Sequence, residues 1–333
     1  MEQLQASEIA APGSVANAAD WDRFAQRCDA SFRCIHKASR IWQLERSLFI
    51  KLLRLDIVLR DAGSPVKIGQ CAVGMNGGVR TFADALQLLP EYRHLWPQAM
   101  QSVLQVTGPG RYRYGSDWNM EPSRADELAG LDGVELRKVH PVDILAVDFT
   151  DWDSWDAYYR QVSTNAKRNV KKAKKSYGDI RISDRQGLAI YQDLLPLQYA
   201  RFTMFRRKSV ASNCLSLIMR SSVRVAATSA YSTSARMTAE GDVIARYLGI
   251  DFGQTSFFLE AASGQAASGA SSYLLKAMIE RAFLRTQGKG AFVFGPDDHR
   301  QQGQPAWEGL VRSRLQWKAK PHPTAIICFD VKG

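Results

Sequence analysis

Between residues 227 and 294 the chain sets out a fixed order of elements. Residues 227–237, 243–250 and 255–260 read as three strands joined by the turn compositions Glu240-Gly241-Asp242 and Asp251-Phe252-Gly253-Gln254, so consecutive strands form antiparallel hairpins. A run of small residues, 261–269, comes next. It leads into a helical stripe of Leu274, Leu275, Met278, Ile279, Ala282 and Phe283, which Gly288 and Gly290 stop before the strand Ala291-Phe292-Val293-Phe294. A meander that feeds a helix and then a further strand confines this half to a mixed α/β class, a sheet with flanking helices.

The same order has a chemical use. A loop without bulky side chains ahead of a helix offers unpaired backbone N–H groups where the helix dipole favours an anion, and its bareness lets a pyrophosphate reach the main chain. Here the loop is Gly264-Gln265-Ala266-Ala267-Ser268-Gly269-Ala270-Ser271-Ser272. Ser268, Ser271 and Ser272 add hydroxyl donors, although an ordinary serine N-cap explains Ser271 or Ser272 without any ligand.

Upstream, Trp155, Tyr159, Val162, Ala166, Val170 and Ala173 recur every three or four residues and draw one apolar stripe down a helix. The other faces carry Lys167, Arg168, Lys171, Lys172, Lys174 and Lys175, with no acid between Asp156 and Asp179. Such a run forgoes i,i+4 ion pairs and repels itself by roughly 0.2–0.5 kcal/mol per pair. It reads either as a solvated face or as the holder of an anionic partner, and Arg206-Arg207-Lys208 widen the same charge.

Composition sharpens that choice. The 333 residues hold 44 Lys/Arg against 33 Asp/Glu, a formal charge of +11, but residues 1–150 hold 17 against 18, so the whole excess lies in the second half. The basic character is directed, not general. A hydrophobic fraction of 45% with 23% charged residues marks a globular chain, and no apolar run approaches the roughly 18 residues of a membrane-spanning helix. Met1-Glu2-Gln3-Leu4-Gln5 lacks the charged and apolar regions of a secretory signal. Five cysteines, at 28, 34, 71, 214 and 328, form no CxxC pair; scattered spacing of this kind fits reduced thiols in a cytoplasm, and no metal site is expected.

The first half is also mixed. Residues 1–19, rich in Ala, Ser and Gly, read as a mobile leader, and helical texture runs from Trp21 to Leu48. Strands at 52–59 and 66–73 flank the turn Asp61-Ala62-Gly63-Ser64-Pro65. A helix at 97–106 and strands at 111–114, 134–139 and 142–149 complete it. At roughly 150 residues per domain, two units are expected, 20–150 and 151–333.

The stretch from His140-Pro141-Val142-Asp143-Ile144-Leu145 through Trp155-Asp156-Ala157-Tyr158-Tyr159 to the basic helix at 163–175 resembles the mid-chain segment of FemAB-like, cellulose-biosynthesis-type members of the GNAT acyltransferase superfamily. The likeness continues through the meander, Gly269 and its helix to Phe294-Gly295 and Trp307, covering most of residues 140–310; the front half is similar in outline, as a divergent first unit. It implies two tandem GNAT-like units, each a mostly antiparallel mixed sheet with flanking helices. It implies acyl transfer from the thioester of acetyl-CoA, another acyl-CoA or an acyl carrier protein to an amine or hydroxyl of a small molecule or glycan. Gln265-Ala266-Ala267-Ser268-Gly269-Ala270 is similar to the superfamily's phosphate cradle, with Ser268 where Gly is usual. Gln265, Ser268, Gly269, Ala270, Ser271 and Ser272 are thus expected at the carrier's phosphates, beside Arg168, Lys171 and Lys172. The segment after the last strand departs from the family's Gly-Asp…Tyr-Lys, reading Gly295-Pro296-Asp297-Asp298-His299-Arg300.

Acyl transfer also needs donors for the developing oxyanion and a base for the acceptor's proton. Backbone N–H groups near Leu259 and Glu260 are the expected donors. Glu260, Asp251 and Asp297 are the candidate bases, with Tyr247 or Tyr273 as an acid toward the departing thiolate. No cysteine lies in an activated context, so direct attack without a covalent enzyme intermediate is expected. Two other readings fit the same residues: a non-catalytic module that binds nucleic acid or anionic lipid, and an aminoacyl-tRNA-dependent transferase whose Lys167 to Lys175 track phosphates.

Overall fold

Two apolar cores organise the chain, one around Leu55, Val73, Trp96 and Phe329, the other around Phe149, Tyr158, Ile279 and Phe292. The computed structural model describes residues 3–8, 15–44, 50–60, 64–185, 189–190, 192–194, 196–197, 226–264, 269–297 and 303–332. Unit 1 is Met1–Ile144 with His322–Gly333, and unit 2 is Leu145–Pro321.

In unit 1, β1 (Gln3–Glu8) pairs antiparallel with β2, from Gln3 opposite Arg60 to Glu8 opposite Leu55. Helices α1 (Val15–Arg27) and α2 (His36–Leu44) come before β2 (Lys51–Arg60), β3 (Val66–Asn76) and β4 (Val79–Phe82), an antiparallel meander. The short β5 (Gln87–Leu88) pairs with β3; α3 (Trp96–Thr107) then leads to β6 (Gly110–Tyr114), parallel to β4. Helix α4 (Ala125–Ala129) follows, and strand β7 (Val134–Asp148) begins in unit 1 and ends in unit 2.

In unit 2, α5 (Trp155–Gln161), α6 (Thr164–Tyr177) and β8 (Ile180–Arg185) precede a second meander, β9 (Ser232–Ala239), β10 (Asp242–Phe252) and β11 (Thr255–Ser263). Helix α7 (Ala270–Arg285) leads to β12 (Ala291–Asp297), parallel to β11. The two units therefore repeat one order: three antiparallel strands, a helix, and a strand parallel to the third. Helix α8 (Pro305–Leu315) and β13 (Lys320–Val331) close the chain.

Three sequence expectations change. Residues 1–19, read as a mobile leader, contain β1 and the start of α1. An edge strand takes its hydrogen bonds from the neighbouring backbone, so a small-residue composition does not forbid it. The final strand belongs to unit 1, not to a unit running from 151 to 333: Ile327 to Val331 pair antiparallel with β6, and Phe329 stacks on Tyr112 at 5.1 Å between centroids. The boundary falls at Ile144/Leu145 in place of 150/151. The stripe from Trp155 to Ala173 is two helices, because Ser163 accepts a hydrogen bond from the Ala166 N–H and caps α6. Tyr158, not its neighbours, is the fully buried aromatic of α5, and its hydroxyl donates to the Trp317 carbonyl at 2.8 Å.

Helix α7 buries Leu274, Met278, Ile279, Ala282 and Phe283. It ends through Gln287 at φ 53° and a 3.0 Å bond from the Gly288 N–H to the Phe283 carbonyl, a closure that wants left-handed backbone at the helix exit. Gly290 then lets β12 begin against β11, since a Cβ there would overlap the Gln254 carbonyl oxygen. No helix among the described residues is long and apolar enough to cross a membrane.

Candidate functional site

Strands β11 and β12 pair at only three positions, Thr255 with Ala291, Ser256 with Phe292 and Phe257 with Val293. Strand β11 continues to Ser263 and β12 to Asp297, so their C-terminal ends part. On the other edge of β11 the ladder with β10 shifts: Leu248 faces Glu260 but Gly249 faces Phe258, which leaves Leu259 as the extra residue of a β-bulge. A bulge takes backbone groups out of the ladder and re-aims the side chains beyond it. Gly249 permits it, because a Cβ there would overlap the Tyr247 hydroxyl and lie 2.7 Å from the Phe257 carbonyl oxygen. Sequence reasoning missed the bulge, although a lone glycine inside a strand is its usual mark.

The N-terminus of α7 stands at this parted end. Ser271 Oγ donates to Ser263 Oγ at 2.8 Å, tying the first helical turn to the last residue of β11. Gly269, at φ 80°, is the N-cap and supplies no side-chain hydrogen bond; no acid occupies the first turn. The N–H groups of Ala270, Ser271 and Ser272 therefore have no acceptor within the helix, and the helical bonds begin with the Tyr273 N–H to the Gly269 carbonyl, 3.0 Å. Gln265 and Ser268 lie outside the described residues.

Gly269 also sets the distance to α6. A Cβ on it would overlap the Asn169 carbonyl oxygen and lie 3.2 Å from the Ala173 nitrogen. At 100° per residue, Lys172 projects about 60° from Asn169 and flanks the Gly269 contact, whereas Lys171 projects about 160° away. Lys167 is spent on the Arg160 carbonyl at 2.7 Å, and Arg168 donates to Asn165 Oδ1 at 2.7 Å. Lys171, Lys172, Lys174 and Lys175 are exposed and form no ion pair among the described residues.

The candidate acids and bases separate. Glu260 is buried beside the bulge, and Asp297 ends β12, accepting a 3.0 Å hydrogen bond from the Trp307 indole. Both lie toward the parted ends. Asp251 does not: it accepts from Thr233 and Ser256 and faces Arg285, which also donates to the Gly253 carbonyl, at the far end of α7. The sixteen residues of that helix span about 24 Å. Tyr247 sits in the core against Phe258, and burial pushes its hydroxyl far above the ordinary tyrosine range, helped by the Asp251 charge. Asp251 thus lies away from the parted end, whereas Tyr247, opposite Ala261, lies level with it but is buried in the core. Tyr273, half-buried in the first turn of α7, lies at that end.

Unit 1 closes the corresponding place. After β4 every residue from Ala83 to Leu89 is buried, and the Leu86 N–H donates to the Tyr114 hydroxyl at 3.2 Å. Asp84 fills the interior, accepting from Ser31 Oγ at 2.5 Å; burial raises both its carboxyl and that of Glu121 above the usual carboxylate range. No open small-residue loop leads into α3. Among the described residues, no group of three His, Cys, Asp or Glu is placed to hold a metal ion.

No family model and no curated protein matches the sequence. Solved structures do. FemX superposes with a TM-score of 0.69 at 11% identity, covering 98% of this chain and 96% of that one. A conserved protein of unknown function from Bacteroides thetaiotaomicron gives 0.61 at 13% identity, with 97% and 99% covered. The C-terminal domain of a putative lysylphosphatidylglycerol synthetase from Agrobacterium fabrum gives 0.55 at 11% identity, with 96% and 93% covered. With the repeated strand order and the parted strands, these likenesses give the chain the fold of FemX, a mixed α and β fold of two units.

Proposed function

We propose that the chain transfers an acyl group from a phosphate-bearing thioester of the acyl-CoA type to an amine or hydroxyl acceptor. One observation carries this reading: the parted ends of β11 and β12, the bulge at Leu259 and the uncapped N-terminus of α7 coincide at one end of unit 2. The α7 N–H groups of Ala270, Ser271 and Ser272, with the preceding loop and Lys172, hold phosphate. Backbone N–H groups released at the bulge receive the carbonyl oxygen as it gains charge. Glu260 takes the acceptor's proton as the new bond forms to the acyl carbon and the bond to sulfur breaks; Tyr273 returns a proton to the leaving thiolate. Asp297, engaged by Trp307, positions α8 instead.

The roles expected of Lys171 and Lys172 divide. CoA at a hundredfold its Kd stabilises a single site by about 2.7 kcal/mol, a Tm rise of roughly 5–10 °C for a unit of the size of unit 2. Lys172→Glu is expected to weaken CoA about tenfold, or ~1.4 kcal/mol, and Lys171→Glu to leave it within a factor of two. A flat melting curve with every thioester tried, alongside salt-sensitive retention of RNA, would replace the enzyme by a binding module. The unpaired Lys171, Lys174 and Lys175, turned from α7, are what supports an RNA-borne donor as the second reading.

A further inference from the structure

Unit 2 carries another cationic feature, on the sheet face away from α7. Leu248 points to that face, packing on Ile190, Leu194 and Leu197, while Tyr247 points toward α7. Two rows of cross-strand partners share Leu248's face: Arg185, Ser234, Leu248 and Glu260, then Ser183, Arg236, Arg246 and Ala262. Arg236 and Arg246 are thus directly opposed across β9 and β10, an arrangement that costs stability for like charges.

All three arginines converge on one carboxylate. Arg236 donates to Asp193 Oδ1 through Nε at 3.0 Å and Nη2 at 2.8 Å, Arg246 Nε adds a third bond at 3.2 Å, and Arg185 Nε lies 3.5 Å from Oδ2. Asp193 is 1% exposed at its side chain and the arginines 21–27%, so the charges are largely withdrawn from water. Even counting Glu260, which has an interaction of its own, three positive charges meet two negative ones. The stretch between Asp193 and Glu240 holds seven Lys/Arg and no acid, so it supplies no counter-charge. Holding guanidinium groups half-buried in excess of their partners is costly unless something else pairs with them. Arg246 spends only Nε on Asp193; its terminal nitrogens make no hydrogen bond among the described residues. Ser234 Oγ, 1% exposed between Arg185 and Leu248, is likewise unpartnered.

We infer that Arg185, Arg236 and Arg246 form a binding site for an anionic group, a phosphate or carboxylate, and that this group belongs to the acyl acceptor. Guanidinium forks suit both oxyanions. The acceptor assignment rests on the proposed transferase reading and on position: Leu248 faces Glu260, so Arg246 and Glu260 are diagonal neighbours across β10 and β11, about 7–8 Å apart. An acceptor whose anionic group sits a few bonds from its amine or hydroxyl spans that distance.

The test is isothermal titration of the full chain with sodium pyrophosphate and, separately, with tricarballylate, at ionic strength fixed with sodium chloride. A saturable site is expected for the matching oxyanion, weakened about tenfold or more in Arg246→Gln and retained in Lys172→Glu, whereas pyrophosphate held at the α7 N-terminus shows the opposite pattern, weakened in Lys172→Glu and retained in Arg246→Gln. Arg185→Gln, which leaves both other arginines on Asp193, carries the same expectation if Arg246→Gln does not fold. Absence of saturable binding of either anion, or binding unchanged in the folded arginine variant, overturns the site. Titration of the same samples with CoA separates the two claims. CoA binding without the second anion site removes this inference alone; the anion site without CoA binding removes the carrier reading and keeps the site.

Discussion

Glu260→Gln is expected to lower kcat/KM for acyl transfer by about 10²–10⁴, the range a positioned general base supplies, with the Kd for CoA unchanged. The substitution keeps the shape of a side chain that is buried opposite Leu248 beside the bulge, puts an NH2 donor in place of one carboxylate oxygen, and removes the negative charge together with the ability to take a proton. Thiol release from acetyl-CoA, followed over a panel of amine and alcohol acceptors that includes phosphorylated and carboxylated ones, provides the readout. Asp251→Asn is the contrast. That carboxylate accepts from Thr233 and Ser256 and faces Arg285 at the far end of α7, so its loss should lower Tm while turnover per folded molecule stays near wild type. Activity of Glu260→Gln within threefold of wild type would exclude Glu260 as the base and return attention to Asp297.

The elements around this site were legible because local chemistry demands them. Gly241 and Gly253 adopt φ of 89° and 58° in the two hairpin turns, and the Leu274-to-Phe283 stripe has a helical period, so the meander, α7 and β12 follow from short windows. What those windows cannot contain is where an element docks. Strand β13 carries Ala325, Ile327 and Phe329 at alternate positions, a pattern that promises burial on one face without naming the sheet, and it docks in unit 1. The arginine cluster is similarly hidden, since Arg236 and Arg246 lie 43 and 53 positions from Asp193. Asp251 was misplaced for a simpler reason. The β11 strand has nine residues, about 30 Å at 3.3 Å each, so its starting turn lies far from the loop that follows it.

Gly269→Ala is expected to destabilise the chain by about 2–6 kcal/mol before any question of ligand arises. Two costs combine there. An L side chain at φ 80° is strained, by roughly 1–3 kcal/mol, and the added Cβ meets main chain: it overlaps the Asn169 carbonyl oxygen and lies 3.1 Å from the carbonyl carbon. Overpacking of that kind costs a further ~1–3 kcal/mol, because α6 is held from below by Ala166, Val170 and Ala173 and cannot retreat without opening the core. A Tm lower by roughly 5–20 °C should follow for a unit of this size. Gly264→Ala, with nothing within 4 Å of the new Cβ, should stay within about 0.5 kcal/mol of wild type. A Gly269→Ala protein that melts within 1 °C of wild type would show that α6 can yield. The resemblance assigned Gly269 to a bare approach for pyrophosphate; the Asn169 contact gives it a packing duty that a loss of CoA binding alone would not distinguish. Lys172→Glu, which leaves that contact untouched, is therefore the cleaner probe of the phosphate site, and Gly269→Ala the probe of how α6 is brought alongside it.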